Sequence, residues 1–179
     1  MIEKNKKAQN LTLFLKNLAF FIFLVLSALV VVPLELVWVA NGFLSFSIVG
    51  STYLGLLLTI FGAIFMLNMF VYFALSGKGT PAPFDPPKKL ITRGLFRYVR
   101  NPGYIGGALI VLGEGFFLES AVVFIFAASL CILFHLFVVY YEEPTLKREF
   151  GESYEEYLKA VPRWIPRLPK KIRNHKMQP

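Results

Sequence analysis

The sequence predicts an all-α protein, a multi-pass membrane bundle of about four transmembrane helices. Of its 179 residues, 56% are hydrophobic and only 17% are charged, whereas about a quarter of the residues in an average soluble domain are charged. No charged residue occurs between Glu35 and Lys78. That stretch is long enough for a membrane span plus a turn, because ~20 apolar residues cross the hydrocarbon core of a bilayer.

Four apolar segments are the predicted spans, at about residues 17–40, 48–75, 102–118 and 121–141. The third lies at the short end of the allowed length and carries Glu114. The last two spans are joined by a very short turn, so we expect a tight antiparallel hairpin. The first apolar run exceeds the ~7–15 residues of a signal-peptide core and has no small-residue cleavage site after it. We therefore predict a retained first span.

The positions of the basic residues predict the orientation of these spans. One basic cluster precedes the first span, a second lies between spans two and three, and a third follows span four. The other two connections hold no Lys or Arg. Cytoplasmic loops carry the excess of basic residues, so both termini and the middle loop are predicted to be cytoplasmic. The net charge of +8 then reflects topology and attraction to lipid headgroups, and no nucleic-acid partner is predicted.

The whole chain, residues 1–179, is predicted to form a single domain. It comprises two N-terminal spans (1–76), a central region with the helical hairpin (77–167) and a basic tail (168–179). Four prolines among residues 81–87 prevent a helix there, and a short interfacial helix is expected before Pro102. Residues 142–160 repeat apolar side chains at helical spacing, so they predict a C-terminal helix with a weak point at Gly151.

Two adjacent carboxylates, Glu142 and Glu143, are the first candidates for chemistry. Like charges side by side are unfavourable unless a cation is held there. One interpretation is a pair of solvated acids balanced by Lys147 and Arg148 one turn later. The other is a receptor for a cation or an ammonium group. Sequence position alone leaves both open.

Other ionisable groups within the predicted spans are His135 and Glu114. A polar group in a membrane is by default a functional candidate, although each can equally pair inside the bundle. They do not reach the three or four ligands of a metal site, and the single Cys131 excludes a zinc site built from cysteines. No metal is predicted.

Three arginines, Arg93, Arg97 and Arg100, recur at helical spacing and form one basic face. Such a face either clamps a carboxylate or phosphate group or rests on anionic lipid. Gly103 and Gly107 follow four residues apart in the third span. This spacing of small residues permits the close approach of a neighbouring helix.

Several short motifs resemble those of a known protein family. They are Gly-Lys-Gly-Thr from Gly77, Arg-Asn-Pro-Gly-Tyr from Arg100, Glu-Glu-Pro-Thr-Leu from Glu142, and Val-Pro-Arg-Trp-Ile-Pro from Val161, with a Phe-Gly-x-x-Tyr-x-x-Tyr motif from Phe150 before the last. In this order the motifs resemble the integral-membrane methyltransferases, which include isoprenylcysteine carboxyl methyltransferases and phospholipid N-methyltransferases. The resemblance covers about residues 76–167, half of the chain.

The resemblance implies S-adenosylmethionine as methyl donor, bound at the cytoplasmic end of the last spans. In such enzymes the paired glutamates help to hold the cofactor, plausibly through its cationic amino group. Arg97 and Arg163 are the expected catalytic residues, which orient the acceptor, and the region around Arg163 and Trp164 is expected to form part of a lid. The implied cofactor-binding residues are Gly77, Gly79, Arg100, Asn101, Pro102, Tyr104, Glu142, Glu143, Tyr154 and Tyr157.

The acceptor is less defined by the resemblance. Asn101 stands where the isoprenylcysteine enzymes usually have His, as it does in phospholipid enzymes, so an isoprenylcysteine-like and a phospholipid-like acceptor both stay open. The expected function is methyl transfer to such an amphipathic or lipid-linked acceptor at the cytoplasmic membrane face, in a prokaryotic plasma membrane, by a monomer or a homodimer. The alternatives are an NADPH-dependent membrane reductase of the sterol-reductase type and a non-enzymatic membrane scaffold.

Overall fold

A computed structural model describes residues 22–23, 26–40, 44–76 and 90–168. Throughout these ranges the chain is helical apart from turns and short extended segments, with one isolated bridge between Ser45 and Ser120 and no strand. The all-α prediction is therefore confirmed for the described residues. The predicted site residues Gly77 and Gly79 lie outside them.

The helices follow the apolar segments closely. Two are interrupted or preceded by π-turns, in which the backbone hydrogen bond spans five residues instead of four. In chain order the elements are a π-turn (Ser27–Val31), α1 (Val32–Ala40), α2 (Ser51–Ser76), a 3₁₀ turn (Gly94–Arg97), α3 (Pro102–Phe117), α4 (Ala121–Phe137), a second π-turn (Val138–Glu142), α5 (Glu143–Phe150) and α6 (Glu152–Ala160).

Two stretches are long and apolar enough to cross a membrane, Ser51–Tyr72 and Ala121–Phe150. They correspond to the second and fourth predicted spans. The apolar helices Leu29–Ala40 and Pro102–Phe117 are shorter. At ~1.5 Å per residue, the 16 residues of α3 reach ~24 Å, less than the ~30 Å of a hydrocarbon core. The first and third spans therefore stay predictions.

Helices α2 and α3 pack against each other most extensively, at two glycine contacts. A Cβ atom on Gly62 would lie 2.6 Å from the carbonyl oxygen of Gly106, and one on Gly55 would lie 2.6 Å from that of Gly113. Such distances leave room only for hydrogen at both positions. The prediction that a neighbouring helix approaches closely at Gly107 is wrong. A Cβ atom there would have only ordinary contacts, with side-chain carbons at 3.8 Å. Gly103 faces the Met69 side chain instead.

The hairpin between α3 and α4 has a turn at residues 118–120, one residue longer than predicted. The segment before α2 is tied to this turn by hydrogen bonds. The Ser51 hydroxyl donates to the Glu119 carboxylate at 2.8 Å, and the Phe46 amide donates to the Glu119 carbonyl at 3.0 Å. These bonds fix one end of the bundle and leave the opposite end to the predicted site.

Each π-turn ends two residues before a proline, Pro33 in the first case and Pro144 in the second. Proline has no amide hydrogen, and in a regular α-helix its ring collides with the carbonyl four residues earlier. That carbonyl belongs to Leu29 or Tyr140, each inside a π-turn. The wider turn separates ring and carbonyl while the helix continues. The second π-turn directly precedes the paired glutamates.

The C-terminal helices complete the end of the bundle that carries Glu142. The segment predicted to be helical over residues 142–160 forms α5 and α6, which meet at Gly151 with a positive φ of 52°. The buried side chains of Tyr154, Tyr157 and Val161 make a small second core. The interfacial helix expected before Pro102 is only a 3₁₀ turn, held by a hydrogen bond from the Leu95 amide to the Asn68 side chain.

Residues 161–168, which we call the strap, run back across the residues before α3. The Arg100 amide donates to the Pro162 carbonyl at 2.9 Å, and the Arg167 amide donates to the Tyr98 carbonyl at 3.1 Å. These two backbone hydrogen bonds bring the strap beside the start of α3 and the end of α4. The described residues of the predicted site, apart from the exposed Arg97, therefore meet at one end of the bundle.

Candidate functional site

Glu143 is the centre of a group of three charges. Its Oε1 lies 2.9 Å from Arg100 Nη1. Arg163 binds the same carboxylate with two hydrogen bonds, from Nε to Oε1 at 2.7 Å and from Nη2 to Oε2 at 2.9 Å. The side chains of Glu143 and Arg100 are only 11% and 10% exposed. Two cations on one carboxylate neutralise Glu143 and leave one excess positive charge.

Glu142 has a different environment. The Tyr104 hydroxyl donates a 2.7 Å hydrogen bond to its Oε2. Among the described residues, no Lys, Arg or His forms an ion pair with Glu142. Its carboxylate is thus oriented by a neutral hydroxyl and forms no ion pair within the described part of the chain, so it can accept a cationic ligand.

Aromatic rings surround the Tyr104 side of this carboxylate. The Tyr104 ring centroid lies 4.9 Å from that of Phe134 and 6.5 Å from those of Phe137 and Trp164. The negative faces of such rings attract a cation, and the apolar surroundings strengthen any charge interaction formed there. Glu142 and these rings together favour a positively charged ligand.

The second π-turn decides how the two glutamates are presented. The amide of Glu143 bonds to the carbonyl of Val138, five residues earlier. This wider turn rotates the residues after it about the helix axis. His135 and Glu142, seven residues apart, are therefore not separated by two regular helical turns. Sequence reasoning missed this turn. Its signal was Pro144, directly after the Glu-Glu pair inside an otherwise continuous helix.

The strap is held over the site by side chains as well as backbone. The buried Asn101 carboxamide donates to the Arg163 carbonyl at 3.1 Å, which fixes the residue that binds Glu143. The Trp164 indole donates to His135 Nδ1 at 3.1 Å. Pro102 is buried at the first turn of α3, where a missing amide hydrogen does no harm. Asn101 and Pro102 thus position other groups.

Tyr154 and Tyr157 lie beneath the charged group as packing residues. Both are buried, and the Tyr157 hydroxyl donates to the Phe96 carbonyl at 2.7 Å. Burial raises the pKa of both hydroxyls, and the nearby Glu143 charge raises the pKa of Tyr154 further. The hydrogen bonds that Arg163 donates to Glu143 raise the pKa of Arg163, so this guanidinium keeps its charge.

The structure brings together Arg100, Asn101, Pro102, Tyr104, Glu142, Glu143, Tyr154, Tyr157 and Arg163 of the predicted site residues. Arg97 is exposed in the 3₁₀ turn and pairs with no acid among the described residues. The contact between His135 and Trp164 was not predicted. In the described part of the chain, no cluster of three or more His, Cys, Asp or Glu residues is suited to a metal ion.

Comparisons with known proteins bear on the family to which the chain belongs. The sequence profile described as phospholipid methyltransferase matches residues 51–153. The chain is 36% identical over 80 residues to a protein-S-isoprenylcysteine O-methyltransferase of Schizosaccharomyces pombe, which covers 45% of this chain and 34% of that protein. It is 34% identical over 85 residues to a methanethiol S-methyltransferase of Crocosphaera subtropica, covering 48% and 32% of the two chains.

A third relative is a probable protein-S-isoprenylcysteine O-methyltransferase of Oryza sativa subsp. indica, 33% identical over 85 residues, which is 46% of this chain and 44% of that protein. The aligned regions thus span less than half the length of each of these relatives. No solved structure is significantly similar to the chain. Because the family profile extends over more than half of the sequence, from the start of α2 into α6, the chain belongs to the phospholipid methyltransferase family, whose relatives are integral-membrane methyltransferases.

Proposed function

We propose that this protein transfers a methyl group from S-adenosylmethionine to an amphipathic or lipid-linked acceptor at the cytoplasmic face of a membrane. One observation carries the proposal. Two adjacent carboxylates differ in their partners, since Glu143 binds Arg100 and Arg163 whereas the one partner of Glu142 among the described residues is the hydroxyl of Tyr104. Glu142 is therefore free to receive the ammonium group of a methyl donor.

The side chains around Glu142 fit the charges of such a donor. S-adenosylmethionine, when bound, supplies an electrophilic methyl group on a positively charged sulfur atom. Glu142 would hold the ammonium group, and the rings of Tyr104, Phe134 and Trp164 would favour positive charge near it. Arg100 Nε is buried and has no hydrogen-bond partner among the described residues. A carboxylate of the donor would satisfy this atom, which otherwise costs ~1–3 kcal/mol.

Arg97 and Arg163 are proposed to contact the methyl acceptor. Methyl transfer is an in-line substitution, so it depends on positioning and on the exclusion of water. Exposed Arg97 would orient an acidic group or a phosphate at the membrane surface. Arg163 uses Nε and Nη2 to bind Glu143, so its main role would be to hold the strap in place, with Nη1 left for an acceptor.

The names of the relatives support the choice of acceptor chemistry. They describe methylation of an oxygen in isoprenylcysteine proteins and of sulfur in methanethiol. Carboxylates and thiolates are already ionised and nucleophilic, so neither acceptor requires a general base from the protein. We further propose the four-span topology with both termini in the cytoplasm, which the distribution of basic residues supports.

Calorimetric titration with S-adenosylhomocysteine tests this function, with NADPH as the comparison ligand and detergent-purified full-length protein as the sample. We expect saturable binding of S-adenosylhomocysteine and none of NADPH. Tight binding of NADPH alone would contradict the proposal and favour a membrane reductase. If neither compound bound to folded protein, the methyltransferase proposal would be wrong for this chain.

A further inference from the structure

His135 lies on an apolar surface of α4 that otherwise exposes hydrophobic side chains. Its neighbours Ile132 and Leu136 are 61% and 43% exposed, and His135 itself is exposed. An ionisable side chain on a membrane-facing surface is energetically costly, so it is by default a candidate for a functional role. The only hydrogen-bond partner of His135 among the described residues is Trp164.

The bond to Trp164 fixes which nitrogen of His135 carries the proton. An indole N–H is a donor only, so His135 Nδ1 accepts the 3.1 Å hydrogen bond and carries no hydrogen. The ring proton is therefore on Nε2. This N–H has no hydrogen-bond partner among the described residues, and on an exposed side chain it is available to a molecule approaching from the lipid.

Trp164 also connects His135 to the proposed donor site. Its ring centroid lies 6.1 Å from that of His135 and 6.5 Å from that of Tyr104, whose hydroxyl binds Glu142. One indole ring thus contacts both the residue at the lipid-facing surface and the residue that orients the free carboxylate. A membrane-borne molecule at His135 would be separated from the Tyr104 side by the width of this ring.

We propose that His135 is an acceptor-positioning residue, whose Nε2–H donates a hydrogen bond to a carboxylate on an amphipathic acceptor that enters from the lipid. An N–H donor selects an anionic oxygen and not an ammonium group, which has no lone pair to accept the bond. Hydrogen bonds to a charged group are stronger than those between neutral groups, so an ionised acceptor would be preferred to a neutral one. The inference rests on the proposed methyltransferase function, which supplies the reason for an acceptor at this place.

Two substitutions separate this role from a purely structural one. Asn in His135→Asn keeps an oxygen near the Nδ1 position to accept from Trp164, but it has no donor at the Nε2 position. Gln in His135→Gln places an amide N–H near the Nε2 position. The proposal therefore ranks Gln above Asn for acceptor binding. A structural role, which depends on the Trp164 bond alone, ranks them in the opposite order.

The test measures binding of a farnesylthio-carboxylic acid and its matched carboxamide to the full chain in the presence of S-adenosylhomocysteine. We expect the wild-type protein to bind the acid about tenfold more tightly than the amide, equivalent to ~1.4 kcal/mol. His135→Gln should keep most of that preference, and His135→Asn should lose it. Both variants should bind S-adenosylhomocysteine as wild type does, because Glu142 and Tyr104 are unchanged.

Several results would overturn the proposal. An equal preference for the acid in wild type and in His135→Asn would show that Nε2 does not contact the acceptor, as would the absence of any preference in wild type. A parallel loss of S-adenosylhomocysteine binding and thermal stability in His135→Gln would indicate a structural role. If wild type bound S-adenosylhomocysteine but not the farnesylthio-carboxylic acid, the assignment of His135 alone would fail. If it did not bind S-adenosylhomocysteine, the proposed function would fail first.

Discussion

Glu142 and Glu143 are adjacent in the chain, yet their carboxylates bind groups of different charge. Glu143 holds two guanidinium groups at 2.7–2.9 Å, and Glu142 holds the hydroxyl of Tyr104 at 2.7 Å. The carboxylate of Glu143 joins the strap to the start of α3, because it binds both Arg163 and Arg100. The carboxylate of Glu142 is the one that we propose binds a cationic ligand.

Glu143→Gln should destabilise the protein strongly. The substitution leaves Arg100, with a side chain 10% exposed, without its counter-charge, and breaking a buried ion pair in this way costs about 3 kcal/mol. Thermal unfolding in detergent measures the loss. Glu149→Gln, on the exposed surface of the same helix, is the control and should change little. Equal melting temperatures for the two variants would contradict the structural role of Glu143.

Tyr104→Phe should weaken binding of S-adenosylhomocysteine about tenfold. The ring keeps its contacts with Phe134 and Phe137, but the hydrogen bond that orients Glu142 is lost, and a bond to a charged group is worth ~1.5–3 kcal/mol. Calorimetry measures the affinity. Tyr140→Phe removes a hydroxyl from a ring that is 77% exposed and should leave the affinity as in wild type. An unchanged affinity in Tyr104→Phe would separate Tyr104 from the donor site.

Gly62→Ala should destabilise the bundle by ~1–3 kcal/mol, a common range for overpacking. Its new methyl group would lie 2.6 Å from the Gly106 carbonyl oxygen, so α2 and α3 would have to separate. Gly107→Ala is the matched control, since its methyl group would have only ordinary contacts at 3.8 Å and alanine favours a helix. Thermal unfolding compares the two. If Gly107→Ala were the more harmful, α2 and α3 would not be in close contact at Gly62.

Pro144→Ala should reduce donor binding without reducing stability. Alanine restores an amide hydrogen and removes the ring that opposes a regular helix, so the π-turn at Val138–Glu142 is expected to relax toward α-helical geometry. Glu142 would then be presented in a different direction. Parallel measurements of S-adenosylhomocysteine affinity and melting temperature test this. Wild-type affinity in the variant would mean that other contacts maintain the turn.

The segregation of charge along the sequence was sufficient to predict most of the helices. The segment without charges after Glu35 became α2, and the short connection near Glu119 became the hairpin turn. The motif order also predicted which residues meet at one end of the bundle, including Arg100, Tyr104 and Glu143. In both cases the signal is local, since it depends on the composition of one segment or on a short motif.

The relationships that sequence did not predict depend on how the elements are rotated and connected. Which glutamate takes the arginines is decided by the π-turn register, and which glycines touch is decided by the rotation of α2 against α3. Gly106 therefore could not be preferred over Gly107 without its partner Gly62. The bond between His135 and Trp164 joins residues 29 positions apart through the path of the strap, which no periodicity encodes.

The most direct test of the account is the affinity of Glu142→Gln for S-adenosylhomocysteine. The substitution keeps the shape of the side chain and a hydrogen-bond acceptor for Tyr104, but it removes the charge that we assign to ligand binding. Glu156→Gln, on the exposed side of α6, is the control for a change in net charge. We expect affinity to fall about thirtyfold in Glu142→Gln, equivalent to ~2 kcal/mol, with folding and the control unaffected. Wild-type affinity in a folded Glu142→Gln protein would contradict the assignment of the free carboxylate to the methyl donor.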